Sequence, residues 1–309
     1  MTIQSRPEAA ALIGALIADA ATLGLHWIYD PKRIAKVAGQ NPAFTPIDPA
    51  NFEGVPAYFA HAARSDGDLS QYGETLALAI HHLQEHGGFD ATLYQDAFAA
   101  HFGAGGAYSG YIDRPTRGTL ENIANDQRAP SGIDDDQHLA LATLPAIVTR
   151  YHGGDNLPQH VKTAVHVTNV NEAADHYTAI FADLLADVLS GTNLSDALKT
   201  AATKEPLLQA ALDTGETNST TYGQTTGRAC HLHEGMPLAF HILSNTATYK
   251  DAIEANILAG GDNCGRALII GSLAGVAYGL ASIPLEWILA STSAGQNWTD
   301  IQKILNQNE

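Results

Sequence analysis

The residues best suited to chemistry lie where the chain turns into its most apolar stretch, Gly260–Gly279. Asp262 stands at a helix N-cap position, so its carboxylate either caps the helix or acts as a metal ligand or catalytic acid. Cys264 is either a small buried residue or a nucleophile whose pKa the helix N-terminus lowers. Asn263 and Arg266 lie beside them and would help to form a pocket. The spacing alone decides neither alternative.

Other acidic side chains stand out against apolar surroundings. Glu74 precedes a helix predicted from Leu76, where the helix dipole alone would favour an acid. Asp19 is the only acid in the apolar helix predicted over Ala9–Leu25, so it is either exposed or faces a pocket. Three adjacent acids, Asp134–Asp136, exceed what capping the next helix needs. They form either a solvated turn or part of a pocket wall.

The composition favours an all-helical protein. Hydrophobic residues make up 45% of the 309 residues, and no segment is dominated by Val, Ile and Thr. Gly271, Gly275 and Gly279 recur every four residues and predict a flat stripe that another backbone approaches closely. Because this helix is apolar nearly all round, it belongs in the middle of a bundle. The apolar run Arg266–Ala281 is shorter than the ~20 residues of a membrane span, which predicts a core helix.

Charge and cysteine content limit the classes of partner. The chain has 16 Lys and Arg against 33 Asp and Glu, a net charge of −17, which argues against nucleic acid because phosphates would be repelled. Cys230 and Cys264 lie far apart, which predicts no disulfide and a reducing, cytoplasmic location. Asp19 interrupts the first apolar run, so neither a signal peptide nor a membrane partner is predicted. With no repeats and no linker, residues 1–309 are predicted to form one domain.

Several short motifs together resemble the ADP-ribosylglycohydrolase family. A Gly-Gly-Asp turn at 260–262, before a helix that ends in the pattern GxLAGxxYG, is similar to the family's GGDTDT signature. Ala18-Asp19-Ala20 resembles the family's first-helix motif, and Ser70–Thr75 takes the place of its TDDT sequence. The HWIYD and GGDNC variants are most similar to the branch that includes jellyfish J-crystallins and selenoprotein J-like proteins. The resemblance implies an all-α, single-domain orthogonal helical bundle with a central cleft.

In the family these motifs help to hold two magnesium ions, and this chain departs from them. Aligned with the family, His26 replaces a metal-binding glutamate, Gly73 replaces one aspartate and Cys264 replaces another. Metal-competent oxygens remain on Asp262, Glu74, Thr75 and Asn263. Since magnesium prefers octahedral oxygen ligands, chiefly carboxylates, the resemblance implies a degraded metal site. No cofactor is predicted beyond at most a single Mg²⁺.

The resemblance implies a divergent hydrolase of an N- or O-glycosidic bond, ADP-ribosyl or nucleoside-like, or of a related small-molecule bond. The alternative is a non-catalytic, crystallin-like or ligand-binding member. A small-molecule ligand would lie in the central cleft, and Glu74 and Asp262 would have to meet at its mouth. The candidate catalytic residues are Asp262, Glu74 and Asp19. The candidate substrate-binding residues are His26, Tyr72, Asp134, Asp135, Asp136, Asn263, Cys264 and Arg266.

Overall fold

The computed structural model describes residues 6–306, which are mostly helical and contain no strand. The predicted all-α fold is confirmed. Within this range the α-helices are α1 (Pro7–Thr22), α2 (Pro31–Ala38), α3 (Gln71–His86), α4 (Ala91–Phe102), α5 (Arg114–Ala124), α6 (Leu139–Ala142), α7 (Leu144–Tyr151), α8 (Leu157–Val165), α9 (Glu172–Leu189), α10 (Leu194–Ala202), α11 (Pro206–Asp213), α12 (Ser219–Thr226), α13 (Leu232–Ser244), α14 (Tyr249–Ala259), α15 (Asn263–Tyr278), α16 (Leu285–Ala290) and α17 (Ala294–Asn306). Short 3₁₀ helices occupy Leu23–Leu25, Pro49–Phe52 and Leu280–Ser282.

Helices α1 and α15 touch at the centre of the bundle, where glycines let their backbones meet. A Cβ atom built on Gly14 would lie 2.3 Å from the carbonyl oxygen of Gly271, and one on Gly275 would lie 2.2 Å from that of Ala10. Any side chain there would force the two helices apart. The stripe predicted from Gly271 and Gly275 is therefore confirmed, whereas Gly279 lies beyond it and ends α15 at φ +80°.

Both central helices face the core on all sides. Every residue from Ala9 to Thr22 in α1, and every residue from Asn263 to Gly275 in α15, is buried. The segment Pro7–Leu25 is long and apolar enough to cross a membrane, but 94% of its most apolar window is buried inside the molecule. That burial fits a core helix. Helices α3, α7 and α17 pack on α1, and α9, α13 and α14 pack on α15.

A long irregular segment, predicted from the sequence as a surface loop over Ala38–Asp68, carries part of the site. The amide of Tyr58 donates to the carbonyl of Trp27 at 3.0 Å, which holds this segment beside the residues that follow α1. The same segment then brings His61 to within hydrogen-bonding distance of His26. A residue of an irregular segment, His61, thus lies buried beside the residues that follow α1.

Candidate active site

Asp262 is the centre of a buried cluster of hydrogen-bonding groups. Its Oδ1 atom accepts from Nε2 of His26 at 2.8 Å, and its Oδ2 atom accepts from Nδ1 of His138 at 2.8 Å. Oδ2 also accepts from the Tyr72 hydroxyl at 3.1 Å, and Oδ1 accepts from the amide of Gly265 at 3.2 Å. The carboxylate therefore has a partner at each of the four positions where it can accept.

These partners keep Asp262 ionised although the residue is fully buried. Burial alone would raise its pKa, but the charge and hydrogen bond of His138 and the hydrogen bond of His26 hold that pKa well below its usual value. The bond from the Gly265 amide shows that Asp262 caps α15, which is one of its two predicted roles. The other three contacts exceed what a cap requires. Since a carboxylate only accepts, the imidazole nitrogens that face it carry hydrogens.

The imidazole of His61 extends the hydrogen-bonded chain beyond His26. Nδ1 of His26 lies 2.7 Å from Nε2 of His61, and both rings are buried. Burial lowers the pKa of His26 and holds that of His61 well below its usual value, so both imidazoles are neutral at pH 7. Because His26 donates to Asp262 through Nε2, its Nδ1 accepts from His61. The last nitrogen, Nδ1 of His61, is buried and has no partner among the described residues.

Asp113 lines the same cavity as His61 and also has an unpartnered atom. Its Oδ1 atom caps α5 by accepting from the amide of Thr116 at 2.9 Å, and its own amide donates to Gln71 at 2.5 Å. Its Oδ2 atom is buried without a partner in the described part of the chain. Burial raises the pKa of Asp113 to about 6, against the opposing effect of the Thr116 hydrogen bonds. Asp113 can therefore hold or release a proton near neutral pH.

The space between these groups is small and is covered by aromatic rings. The cavity has about 10 Å³ of free volume, close to the minimum for one water molecule, and its lining includes His26, Trp27, His61, Tyr72, Tyr111 and Asp113. The Trp27 ring centroid lies 4.9 Å from that of Tyr111 and 5.6 Å from that of Tyr58, which is 56% exposed. Trp27 adopts φ +63°, a strained conformation for a bulky residue and one that is concentrated at functional sites.

Arg266 fixes the turn that presents Asp262. Its Nε atom donates to the side chain of Asn256 at 3.0 Å, and its terminal nitrogens donate to the carbonyls of Gly260 and Arg228. Arg266 is fully buried, and burial lowers its pKa to about 10, which leaves it charged at pH 7. The side chain predicted to bind substrate is thus engaged in bracing the backbone of the turn.

Asp19 and Cys264 are both fully buried beside this cluster. Asp19 fastens α1 to the start of α3, because Oδ2 accepts from the amide of Ser70 at 2.7 Å and Oδ1 accepts from its hydroxyl at 2.5 Å. Burial raises the pKa of Asp19 to about 7. The Cys264 sulfur lies 3.2 Å from the Thr22 hydroxyl, and burial raises the pKa of the thiol well above its usual value. This shift is opposite to the lowering expected for a nucleophile at the helix N-terminus.

Glu74 is not brought to Asp262. Its carboxylate pairs with Arg64 at 2.5 Å and with His101 at 3.1 Å. Glu74 stands two residues after Tyr72 on α3, and residues two apart point to different sides of a helix. Since Tyr72 faces Asp262, Glu74 faces the side of Arg64. No hydrogen bond joins Glu74 to Asp262 among residues 6–306, so their predicted meeting at one cleft mouth is not seen.

Each acid of Asp134–Asp136 has its own partner. The pairs are Asp134 with Asn171 (2.6 Å), Asp135 with Arg114 (2.5 Å) and Asp136 with His231 (2.7 Å). The residue that enters the cluster from this segment is His138, whose amide donates to the carbonyl of Cys230 at 2.9 Å. The acids thus help to position His138. Their substrate-binding role, and the catalytic roles of Asp262, Glu74 and Asp19, stay predictions.

Three residues of the cluster are not predicted from the sequence: His61, His138 and Asp113. His61 lies in an irregular segment without periodicity, so nothing in the sequence marks it. His138 follows three acids and precedes an apolar helix, and Asp113 precedes Arg-Pro at a helix start. Both patterns indicate a helix cap rather than a site. A buried residue with one unpartnered atom is recognisable only from coordinates.

The oxygen atoms near Asp262 do not suit the magnesium that the family resemblance implies. All four accepting positions of Asp262 are taken, and Glu74 is held in an ion pair. The Thr75 hydroxyl donates to the carbonyl of Gln71. Of the four residues predicted to offer oxygen ligands, only Asn263 has a buried oxygen, Oδ1, without a partner in the described part of the chain. Magnesium requires an octahedron of oxygen ligands. The residues present therefore do not fit it.

A different set of donor atoms lies next to the cavity. One ring nitrogen each of His26 and His61 and the sulfur of Cys264 lie within 4.8 Å of one another, and all three side chains are buried. Imidazole nitrogen and thiolate sulfur are ligands typical of zinc rather than of magnesium. The site thus joins a buried acid–base chain to a group of softer donors.

The whole chain is similar to proteins of one family. A family model described as ADP-ribosylglycohydrolase matches residues 4–307. Crystallin J1A of Tripedalia cystophora is 29% identical over 307 residues, covering 93% of this chain and 92% of that protein. Crystallin J1B of the same organism is 26% identical over 304 residues, covering 90% of each chain.

A solved structure has the same fold. The protein is described as an ADP-ribosylglycohydrolase-related protein complex, and its chain matches this one with a TM-score of 0.75, covering 100% of both chains at 16% identity. At that identity the likeness concerns the fold alone. It confirms the predicted type of helical bundle.

Proposed function

Since this chain belongs to the ADP-ribosylglycohydrolase family, we propose that it is a divergent hydrolase that uses water to cleave a glycosidic bond of a small ADP-ribosyl or nucleoside-like molecule. The observation that supports this is the hydrogen-bonded chain Asp262–His26–His61, which ends at an unpartnered nitrogen. Asp113, with its unpartnered oxygen, lines the same water-sized cavity. A neutral base and a carboxyl group around one cavity are what general acid–base catalysis requires.

In this proposal His61 is the general base. Its Nδ1 atom takes a proton from the attacking water, whose oxygen forms the new bond to the anomeric carbon. The positive charge that His61 gains is stabilised through His26 by the ionised Asp262, since each hydrogen bond in the chain strengthens as charge develops. Asp262 also holds His26 in the tautomer whose Nδ1 accepts from His61.

Asp113 is the general acid. As the glycosidic bond breaks, its electron pair moves to the leaving oxygen or nitrogen, and protonated Asp113 supplies the proton to that atom. With a pKa of about 6, roughly half of the Asp113 carboxyl groups carry this proton at pH 6. Because the acid must be protonated while the base is neutral, we expect the rate to fall as the pH rises above about 6.

Substrate binding requires the aromatic rings over the cavity to move. A cavity of about 10 Å³ holds a water molecule but not a sugar ring. Tyr58 is more than half exposed and contacts Trp27 and Tyr111 only through ring edges and tilted faces. Displacing Tyr58 and Tyr111 would expose His61 and would leave the Trp27 ring as a stacking surface for the ligand.

Hydrolysis of a panel of ADP-ribosyl and nucleoside N- and O-glycosides tests the proposal. We expect His61→Gln and Asp113→Asn each to lower kcat by about 10²–10⁴-fold, with the far-ultraviolet circular dichroism unchanged. His160→Gln is the matched control, because His160 stacks on Tyr151 with ring centroids 3.6 Å apart and lies outside the cluster. Equal rates for wild type and His61→Gln would contradict the role of His61.

A second function is favoured by the similarity to two crystallins over at least 90% of the chain. A non-catalytic, crystallin-like or ligand-binding member would turn over no glycoside of the panel. Calorimetric titration with ADP-ribose and with nucleosides then separates a ligand-binding protein from one that binds neither. For both functions we propose a cytoplasmic location, which accords with the two free cysteines, Cys230 and Cys264.

A further inference from the structure

We propose that His26, His61 and Cys264 form a binding site for a zinc ion, in place of the oxygen-ligated magnesium site that this chain has lost. One nitrogen of each imidazole and the Cys264 sulfur lie within 4.8 Å of one another. The Nδ1 atom of His26 and the Nε2 atom of His61 are 2.7 Å apart. The three residues are fully or almost fully buried, so the rest of the fold, rather than flexible surface side chains, holds the donors together.

The types of donor select the metal. Zinc accepts mixed nitrogen and sulfur ligands in a tetrahedron, with bonds of about 2.0–2.1 Å to histidine and about 2.3 Å to cysteine. Magnesium instead requires an octahedron of oxygens, and the nearby carboxylate of Asp262 already has four hydrogen-bond partners. Three protein ligands leave the fourth position of the tetrahedron for a water molecule.

Neighbouring groups orient two of the three ligands. Nε2 of His26 donates to the Asp262 carboxylate at 2.8 Å, so the lone pair on Nδ1 is directed towards His61. A carboxylate behind a metal-binding histidine fixes its tautomer and increases its basicity. The Thr22 hydroxyl lies 3.2 Å from the Cys264 sulfur and would donate to it once the thiol is ionised. Cys264 also stands in the first turn of α15, where the helix dipole favours a negative charge.

Metal binding requires only a small local adjustment. Zinc bonds of this length place two histidine nitrogens about 3.3 Å apart, so the 2.7 Å pair must open by about half an ångström. His61 belongs to the irregular segment before α3, which can shift without breaking a helix. The thiol proton of Cys264 leaves to solvent, and the proton on Nε2 of His61 is replaced by one on Nδ1. That nitrogen has no partner among residues 6–306 and would become a donor into the cavity.

Zinc binding and the proposed hydrolysis exclude each other. The metal takes the Nδ1 lone pair of His26 and leaves His61 without the free Nδ1 lone pair that the general base uses. Bound zinc would therefore inhibit the reaction. This consequence rests on the proposed function, whereas the metal site itself rests on the geometry of the donors and is tested by binding alone.

Titration of the chelator-treated full-length protein with Co²⁺ and Zn²⁺ tests the site. Co²⁺ bound by a thiolate gives a charge-transfer band in the near ultraviolet, and Zn²⁺ should displace it at one ion per chain. We expect this band in the wild type and in Cys230→Ser, and its loss in Cys264→Ser. Cys230→Ser is the matched control because Cys230 is the only other cysteine in the sequence and is half-buried.

A second variant removes a nitrogen donor and keeps the thiol. We expect His61→Gln to bind Zn²⁺ at least tenfold more weakly by competition with a chromogenic chelator, while His160→Gln binds as the wild type does. Near-ultraviolet circular dichroism confirms that each variant is folded. A wild type without the thiolate band, or a band that disappears in Cys230→Ser but persists in Cys264→Ser, would overturn the proposed site. Neither result depends on finding a substrate.

Discussion

Three buried aspartates in one region of this protein differ in how their lost hydration is replaced. Asp262 accepts four hydrogen bonds and stays ionised. Among the described residues, Asp19 accepts hydrogen bonds only from Ser70, and one oxygen of Asp113 has no partner. Burial accordingly raises the pKa of Asp19 to about 7 and that of Asp113 to about 6. Hydrogen-bond donors and, at Asp262, the charge of His138 thus offset the effect of burial on these three pKa values to different extents.

The raised pKa of Asp19 predicts a specific pH dependence of stability. Its pKa is about 7 in the folded protein, against an ordinary value of 3.8. The folded state therefore holds the proton more tightly, and the stability that this provides is complete below the ordinary pKa and is lost as the pH rises to about 7. In Asp19→Asn the side-chain oxygen can still accept from the Ser70 amide while the side-chain nitrogen donates to the Ser70 hydroxyl, so the contact is kept without a charge. We expect the wild type to lose stability relative to Asp19→Asn between pH 5 and about 7, by at most ~1.4 kcal/mol per pH unit.

Urea unfolding of both proteins at several pH values measures this difference. Asp126→Asn is the control, because the Asp126 side chain is 99% exposed and its removal should leave the pH dependence of the wild type unchanged. Parallel stability curves for the wild type and Asp19→Asn would show that the Asp19 carboxyl is ionised throughout.

At the scale of elements, the close contact between α1 and α15 depends on glycines, which have no side chain to separate the two helices. A Cβ atom on Gly271 would lie 2.4 Å from the carbonyl oxygen of Gly14. We expect Gly271→Ala to destabilise the protein by about 1–3 kcal/mol, because the overpacked helices must separate, despite a gain of about 1 kcal/mol in helix propensity. Gly295→Ala, in α17 with no atom within 4 Å of the new Cβ, should stabilise by about 0.4–1 kcal/mol. Equal effects of the two substitutions in urea unfolding would refute this packing.

Arg266 connects the end of α14 to the start of α15. We expect Arg266→Met to destabilise the protein by about 3–5 kcal/mol, because it leaves the buried carbonyl of Gly260 and the side-chain oxygen of Asn256 without their donor. Arg128→Met is the comparison, since Arg128 pairs at the surface with Asp96 and its loss should cost about 1 kcal/mol or less. Thermal unfolding monitored by circular dichroism ranks the two variants, and a similar loss in both would contradict the bracing role.

Helix positions were more predictable from the sequence than the contacts of the site. Apolar residues that recur with helical period predict a helix over Glu172–Leu189, and α9 has these bounds. The apolar run Leu139–Tyr151 predicts one helix, but the structure divides it at Thr143 into α6 and α7, since Pro145 has no amide hydrogen to continue the helical hydrogen bonds. Asp262 stands at a helix end that the sequence marks. Its partners are not predictable, because they depend on the path of irregular segments and on which side of α3 each residue faces.

At the scale of the whole molecule, the site is assembled from both ends of the chain. His26 follows α1 and Tyr72 lies in α3, whereas Asp262 precedes α15. Since α1 and α15 form the centre of the bundle, the cluster around Asp262 exists only when the two ends of the chain are packed together. We therefore expect the site and the core to have the same free energy of unfolding.

This coupling predicts that the site and the helices unfold together. The Trp27 ring contacts Tyr111 edge to face at 4.9 Å, so it should contribute to the near-ultraviolet circular dichroism, and Trp27→Phe identifies that contribution by difference. We expect the Trp27 signal and the far-ultraviolet helix signal to disappear at the same urea concentration, as in a two-state transition. If the Trp27 signal were lost first, residues around Tyr58 and His61 would be opening locally while the bundle stays folded. The acid–base chain would then depend on the irregular segment alone rather than on the packing of α1 against α15.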